Sequence, residues 1–142
     1  MKFSRHSFAL LPASALWAAH DPANFGWYPD VISWQRADAD GPRHAVLDGD
    51  RDKPGEPFTY AFWMPDGAWV GAHLHSQQAH VAVVKGTLLL GFGRKLDREK
   101  TKPVRAGEFF IVRGGVPHYE GARGETLIIG SALGGWKTTV LE

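Results

Sequence analysis

The chain of 142 residues contains no cysteine. Disulfides, thiol nucleophiles and zinc–thiolate sites are therefore excluded. An excess of charge of one sign is also lacking, because 16 lysines and arginines stand against 15 acidic residues and leave a formal net charge of +1. No apolar run approaches the roughly 20 residues that a helix needs to cross a bilayer. These absences predict a protein without a nucleic-acid or membrane partner.

The N-terminus has some features of a secretory signal. Lys2 and Arg5 precede a short apolar stretch and a triplet of small residues at positions 13–15. Against this interpretation, the apolar stretch is brief and Pro12 interrupts it. We therefore expect a cytoplasmic protein, with a secreted or periplasmic location as the alternative.

The pattern along the chain predicts an all-β protein. Seventeen glycines and nine prolines divide it into short runs, and its length suits one domain. Residues 1–57 are irregular and predict an N-terminal arm with one or two strands, such as 44–47, packing on a barrel at 58–142. In that barrel, β-branched and aromatic runs without a helical period predict antiparallel strands. They lie at 58–64, 68–75, 80–84, 87–93, 108–112, 125–133 and 136–142.

The stretch "GAHLHSQQAH" at 71–80 gathers three of the seven histidines. Side chains alternate faces in a strand, so His73 and His75 would lie on one side, about 6.6 Å apart along the chain. This spacing lets two imidazoles reach one ion at bond lengths of about 2.0–2.1 Å. The pair by itself leaves metal binding and coincidence equally open. A second glycine-bounded hairpin, "GEFFIVRGGVPHY", could return His118 to the same face.

Together these segments resemble the two motifs of the cupin superfamily. The first motif, G-x5-H-x-H-x3,4-E-x6-G, is similar to "GAWVGAHLHSQQAHVAVVKG" at 67–86. The second, G-x5-P-x-G-x2-H-x3-N, is matched at Gly107, Gly115 and His118. The resemblance implies a double-stranded β-helix, or jelly-roll, barrel of a small single-domain cupin. It also implies a divalent transition metal (Fe, Ni, Mn, Cu or Zn) on His73, His75 and His118.

The first motif departs from the family at its glutamate. Counting back from Gly86, that position holds Ala79, which cannot bind a metal; counting forward from His75 with the longer spacer, it holds His80. The two registers differ by one residue, which on a strand means opposite faces. We take His80 as a fourth metal ligand, with a hydrogen-bonding histidine beside the barrel wall as the alternative.

Three further features bear on the site. Arg113 stands where the second motif has proline, and it could steady an anionic substrate or be a solvated residue at the rim. Glu120 follows His118 by two residues, so an extended chain puts both on one face and makes Glu120 the candidate catalytic acid–base. Aromatic residues expected to fill the barrel, a subset of them lining a substrate pocket, are Tyr60, Phe62, Trp63, Trp69 and Phe110.

The resemblance allows dioxygenases that hold their metal on three histidines, and also isomerases, lyases and binding or sensing domains. Imidazole in place of carboxylate leaves the ion more positive and a stronger Lewis acid. We expect a metal-dependent dioxygenase that acts on a small carbonyl, enol or aromatic compound. The alternatives are a non-catalytic metal- or ligand-sensing cupin, a metal-dependent isomerase or lyase, and a barrel that has lost its metal. Because barrels of this family commonly pair, we also expect a homodimer.

Overall fold

The computed structural model describes residues 32–36 and 40–142. Residues 1–31 and 37–39, which hold most of the predicted arm, lie outside the described residues. The expected boundary at residue 57 and the packing of the arm therefore stay predictions. Nine strands are present in the described part: β1 Gln35–Arg36, β2 Arg43–Asp48, β3 Pro57–Met64, β4 Trp69–His75, β5 Ala79–Phe92, β6 Lys102–Arg105, β7 Phe109–Val112, β8 His118–Leu133 and β9 Thr138–Val140.

Every strand pairing is antiparallel, and the two longest strands connect the rest. β8 pairs with β3, β4 and β5, while β5 pairs with β6, β7 and β8. The remaining order runs β1-β2-β3-β8-β4-β9. The sheet curls into a jelly-roll barrel, which confirms the predicted all-β class. No helix in the described ranges has the length and hydropathy to cross a membrane.

Two predicted runs, 80–84 and 87–93, form the single strand β5 because Gly86 allows the chain to bend between them. Gly86 has a φ of +77°, and the register with β8 shifts just before it and again across it. A Cβ at this position would lie 2.4 Å from the Glu125 carbonyl oxygen, so only glycine fits. The following charged run, 93–105, contains regular structure. It contains a 3₁₀ turn at Arg98–Lys100 and β6, which pairs with β5.

Buried side chains form two clusters, one on each face of the sheet. The cluster inside the barrel is built around Phe58, Met64, Val81, Val83, Leu88, Leu90, Ile128 and Trp136. On the opposite face, Ile32 covers Ala45, Ala61 and Leu127. Alternation along each strand separates the two faces, as the period of two requires.

Three aromatic rings lie across glycines on neighbouring strands. The register pairs are Tyr60 with Gly130, Trp69 with Gly121, and Tyr119 with Gly91. A Cβ at any of these glycines would lie between 2.1 and 2.7 Å from the ring beside it. The missing side chain therefore creates the space that each ring occupies, which fixes the position of Tyr60 beside the interior cavity.

Candidate metal centre

Three histidine side chains converge inside the barrel. His73 on β4 is the register partner of His118 on β8, and His75 lies two residues further along β4 on the same face. One ring nitrogen of each histidine lies within 4.8 Å of the others. The ring centroids are 4.3 to 5.0 Å apart. Cross-strand pairing and the alternation along β4 together produce this cluster.

Each of the three rings uses its Nδ1 atom in a hydrogen bond. Nδ1 of His73 lies 2.9 Å from the Gly71 carbonyl oxygen, and Nδ1 of His118 lies 3.0 Å from that of Val116. A carbonyl oxygen only accepts, so these two Nδ1 atoms donate and Nε2 keeps its lone pair. Nδ1 of His75 lies 3.1 Å from the Thr138 hydroxyl. Nε2 of each ring is therefore the nitrogen available to an ion.

The surroundings of His75 and His118 favour the neutral form of these two imidazoles. Burial, together with the nearby His118, His73 and Arg51, lowers the pKa of His75 from 6.5 to about 3. Burial also lowers the pKa of His118, although the neighbouring Glu120 acts in the opposite direction. Neutral imidazole is the form that binds a metal, so these two side chains are suited to hold an ion at neutral pH.

The donor set fits a divalent transition metal. Three imidazole nitrogens with their second nitrogens held by hydrogen bonds are a usual arrangement for Zn, Fe, Ni or Cu. All three ligands are neutral, so the bound ion would keep its full positive charge. Such an ion would act as a strong Lewis acid toward whatever occupies the adjoining cavity.

The geometry does not support His80 as a fourth ligand. Ala79 is buried and lines the cavity next to the histidines, so the next side chain along β5 must face outward. His80 is exposed there, and its Nε2 atom lies 2.6 Å from Nε2 of Gln78. The fold therefore adopts the register that is counted back from Gly86. In this register the family's glutamate position holds Ala79, whose side chain is only a methyl group.

A cavity of about 470 Å³ adjoins the three histidines. Aromatic side chains form much of its wall, namely Phe58, Tyr60, Phe62, Phe110 and Trp136. The centroid of the Trp136 ring lies 4.2 Å from that of His75. A largely apolar cavity with a few polar groups at one end is the usual form of a small-molecule site.

Two of the predicted barrel-filling aromatics lie elsewhere. Trp63 faces the outer cluster, where the Arg43 guanidinium lies 3.8 Å from its ring centroid. Trp69 lies against Gly121 and is covered by Arg98 at 4.9 Å. Strand alternation explains the error for Trp63, because it follows the cavity-lining Phe62 directly in β3.

The predicted acid–base residue lies beside the three converging histidines. Glu120 lines the cavity, its side chain is 12% exposed, and one of its carboxyl oxygens lies 4.0 Å from Nε2 of His118. Burial, and after it the charge of Glu120, raises the pKa of Tyr60. The structure thus brings Glu120 and Tyr60 to the same cavity from different strands.

Thr138 and Arg51 are among the residues at the site that were not found from the sequence. Thr138, which holds His75, is 63 positions away from it, and no local pattern indicates this contact. Arg51 lines the cavity from a loop that reads only as a turn cluster. By contrast, Arg113 is exposed and donates to the side-chain oxygen of Gln78 at 2.8 Å. It does not line the cavity where an anionic substrate would bind.

Solved structures share this fold at low sequence identity. KdgF from Halomonas sp. superposes with a TM-score of 0.59 at 16% identity, over 75% of this chain and 89% of that chain. The polyketide cyclase RemF from Streptomyces resistomycificus gives 0.58 at 17% identity, over 76% and 78%. Salicylate 1,2-dioxygenase from Pseudoaminobacter salicylatoxidans gives 0.58 at 13% identity, over 72% of this chain and 29% of that chain. Likeness at this level shows a common fold and no more.

Sequence comparison locates the family within the chain. No curated protein matches it. Residues 62–129 match the family model described as "Cupin domain", and this segment contains all three converging histidines. The matched segment and the jelly-roll fold together show that residues 62–129 form a cupin domain.

Proposed function

We propose that the protein is a divalent-metal-dependent enzyme, an oxygenase acting on a small carbonyl, enol or aromatic compound. The observation that carries this proposal is the opening of the three-histidine cluster directly into an aromatic cavity of about 470 Å³. His73, His75 and His118 would hold the metal. The bound metal would supply Lewis-acid or redox chemistry at that end of the cavity.

The residues around the cluster have separate tasks in this proposal. The rings of Phe58, Tyr60 and Trp136, whose centroids are 5.7 to 6.0 Å apart, form an apolar surface for a flat substrate and exclude water from it. Glu120 accepts a proton from the substrate at the carboxyl oxygen that lies 4.0 Å from the Nε2 atom of His118. Both tasks need the positions that the sheet fixes for these side chains.

An isomerase, lyase or cyclase that uses no oxygen is the second candidate. Glu120 favours it, because a carboxyl group beside the metal ligands suits proton transfer at a carbon next to a carbonyl group. The fold accommodates both chemistries, since a dioxygenase and a polyketide cyclase are among the similar structures. A sensing domain, the third candidate, would bind metal without turnover.

Metal content and oxygen consumption test these candidates in turn. Protein purified without chelator should contain about one transition-metal ion per chain by elemental analysis. It should then consume oxygen with at least one member of a panel of 1,3-diketones, enols and hydroxylated aromatic acids. Conversion that proceeds equally well without oxygen would select the second candidate. Tight metal binding without any conversion would contradict both enzymatic proposals and favour sensing.

Glu120→Gln tests the acid–base role. We expect turnover of the active compound to fall by about 100-fold or more, because positioned acid–base groups contribute about 10²- to 10⁴-fold. The metal content should stay the same, since Glu120 is not one of the three ligands. Glu108→Gln, at an exposed position outside the cavity, is the matched control. Full turnover in Glu120→Gln would remove this residue from the mechanism.

The homodimer and the cytoplasmic location expected from the sequence stay predictions. On the outer face of β5 and β7, the exposed side chains of Val84, Phe109 and Ile111 are 40 to 59% accessible, which is compatible with self-association. Light scattering of the purified full chain measures the oligomeric state directly.

A further inference from the structure

The side chain of Arg51 adds a cationic group to the wall of the cavity. Among the described residues that line it, Arg51 is the only lysine or arginine. Arg51 is half-buried, and it forms no ion pair with any residue in 32–36 or 40–142. A partly desolvated guanidinium without an acidic partner gains much from an anion that enters the cavity.

The backbone of Arg51 is fixed next to the metal ligands. Its carbonyl oxygen accepts hydrogen bonds from the backbone N–H groups of Gly135 at 2.9 Å and Trp136 at 3.1 Å. Trp136 in turn lies against the ring of His75. The same loop holds Gly134 so closely that a Cβ there would lie 2.2 Å from the Lys53 carbonyl oxygen. The guanidinium therefore extends from a point tied to the wall of the site.

The charge of Arg51 acts on two histidines at this end of the cavity. After burial, which is the larger cause, it helps to lower the pKa of His44, another lining residue. It contributes in the same direction to the lowered pKa of His75. Arg51 itself lines the cavity, so its positive charge is close to the space that a substrate would occupy.

In the described part of the chain, the two carboxyl side chains that line the cavity form no ion pair with Arg51. Glu120 lies beside His118, and Glu142 accepts a hydrogen bond from the backbone N–H of Leu96 at 2.9 Å. Three neutral ligands leave a bound divalent ion with its full charge. A bound divalent ion and Arg51 together would carry three positive charges, two on the ion and one on Arg51, against the two side-chain carboxyl groups of the lining.

We propose that the substrate of this site carries a carboxylate, which Arg51 binds while the flat apolar body lies on the aromatic wall. This inference rests on the proposed function, because it assigns a substrate class to the same cavity. In this proposal Arg51 binds the anionic group of the substrate, a role that the sequence analysis considered for Arg113. The planar guanidinium suits a carboxylate because it can donate two parallel hydrogen bonds.

Equilibrium binding tests the proposal without turnover. Matched pairs of an aromatic acid and its primary amide, such as benzoate and benzamide or 2-hydroxybenzoate and its amide, are titrated into the protein by calorimetry. Each pair is measured in the metal-free and the Zn²⁺-loaded full chain, since a metal ion also attracts carboxylates. We expect the acid to bind more tightly than the amide in both forms.

The variant Arg51→Gln should weaken binding of the acids by about 10- to 100-fold, as expected for loss of a hydrogen bond between charged groups. Amide binding and Zn²⁺ affinity should not change. Arg51→Lys, which keeps the charge but loses the planar fork, should give an intermediate loss. Arg123→Gln, at an exposed position outside the cavity, should bind like the wild-type protein.

Three results would overturn the proposal: no binding of any acid, equal binding of acid and amide, or a preference for acids that persists in Arg51→Gln. The metal-free titrations separate this failure from that of the proposed function. If the protein binds no metal but prefers acids through Arg51, the carboxylate site stands and the proposed metal-dependent enzyme is wrong. If the protein shows turnover but its acid binding does not depend on Arg51, the proposed function stands and the carboxylate site is wrong.

Discussion

Histidine side chains on the two faces of the sheet differ in burial and in hydrogen-bond partners. On the inner face, the side chain of His118 is 3% exposed and donates from Nδ1 to a backbone carbonyl oxygen. On the outer face, His80 is exposed, its hydrogen bond goes to the side chain of Gln78, and the ring of Phe109 lies 6.0 Å away. The same residue type is a candidate metal ligand on one face and a surface residue on the other. Neighbours and burial, rather than identity, decide the role.

The difference arises within one residue of chain. Ala79 points into the cavity and His80 points out of it, because successive side chains of β5 alternate. A strand shifted by one position would have placed an imidazole at the metal centre. Pairing with β7 and β8 fixes the actual register, in which His80 lies opposite Ile111 and Ser131.

The largest expected effect comes from removing a histidine on each face. His118→Ala should reduce Zn²⁺ affinity by more than about 100-fold, since loss of a partner that only orients a ligand already costs about 10- to 100-fold. His80→Ala should leave the affinity unchanged, because this ring lies outside the cluster. Calorimetric titration of both variants with Zn²⁺ measures the difference.

Equal losses of Zn²⁺ affinity in the two variants would show that His80 reaches the ion, and the contrast between the faces would be lost. Thermal unfolding of the metal-free variants provides the control for folding. A His118→Ala protein that unfolds like the wild-type protein but no longer binds Zn²⁺ places the defect at the metal centre.

A smaller effect is expected from acid on the metal-free protein. Unfolded His75 titrates near 6.5, whereas the folded residue has a pKa of about 3. Between these values the unfolded chain binds a proton that the folded chain does not, so the free energy of unfolding falls as the pH is lowered from 6.5. His75→Gln should make this decline shallower by up to one proton, as measured by urea unfolding at several pH values. An identical slope in both proteins would contradict the buried, neutral state assigned to His75.

The smallest effect on Zn²⁺ affinity is expected within the inner face, where the three histidines differ in their hydrogen-bond partners. His73 and His118 are held by backbone carbonyl oxygens, which no substitution removes, but His75 depends on the hydroxyl group of Thr138. Thr138→Val should lower Zn²⁺ affinity by about 10-fold while the fold is retained. Thr139→Val, whose side chain lies on the other face of β9, should have no effect. Equal affinities for Thr138→Val and the wild-type protein would mean that stacking on Trp136 is enough to orient His75.

Much of the site could be predicted because the information is local. The alternation of His73 and His75, and the glycine-bounded hairpin before His118, are patterns within short segments. The resemblance to the cupin motifs then identified all three. Glu120 was predicted from the same alternation of side chains, because it follows His118 by two residues, and the structure places it at the cavity.

The remainder depended on register and on distant segments. Counting from either end of the first motif gave Ala79 or His80 at one position, and nothing in the sequence chose between them. Trp63 was placed inside although Phe62, its neighbour, takes the inner face. Arg51 lies in a loop whose turn residues predict where the chain bends. They do not predict that this loop reaches the cavity.

The sequence by itself determined the all-β class, the family motifs and three of the residues at the candidate metal centre, because the period of two along a strand is a property of neighbouring residues. Only the tertiary structure decided that Ala79 faces inward, that Thr138 holds His75 and that Arg51 supplies the cavity's cation. These depend on which strands and loops lie side by side. Sheet pairing between segments far apart in the chain sets that arrangement, and no short stretch of sequence contains it.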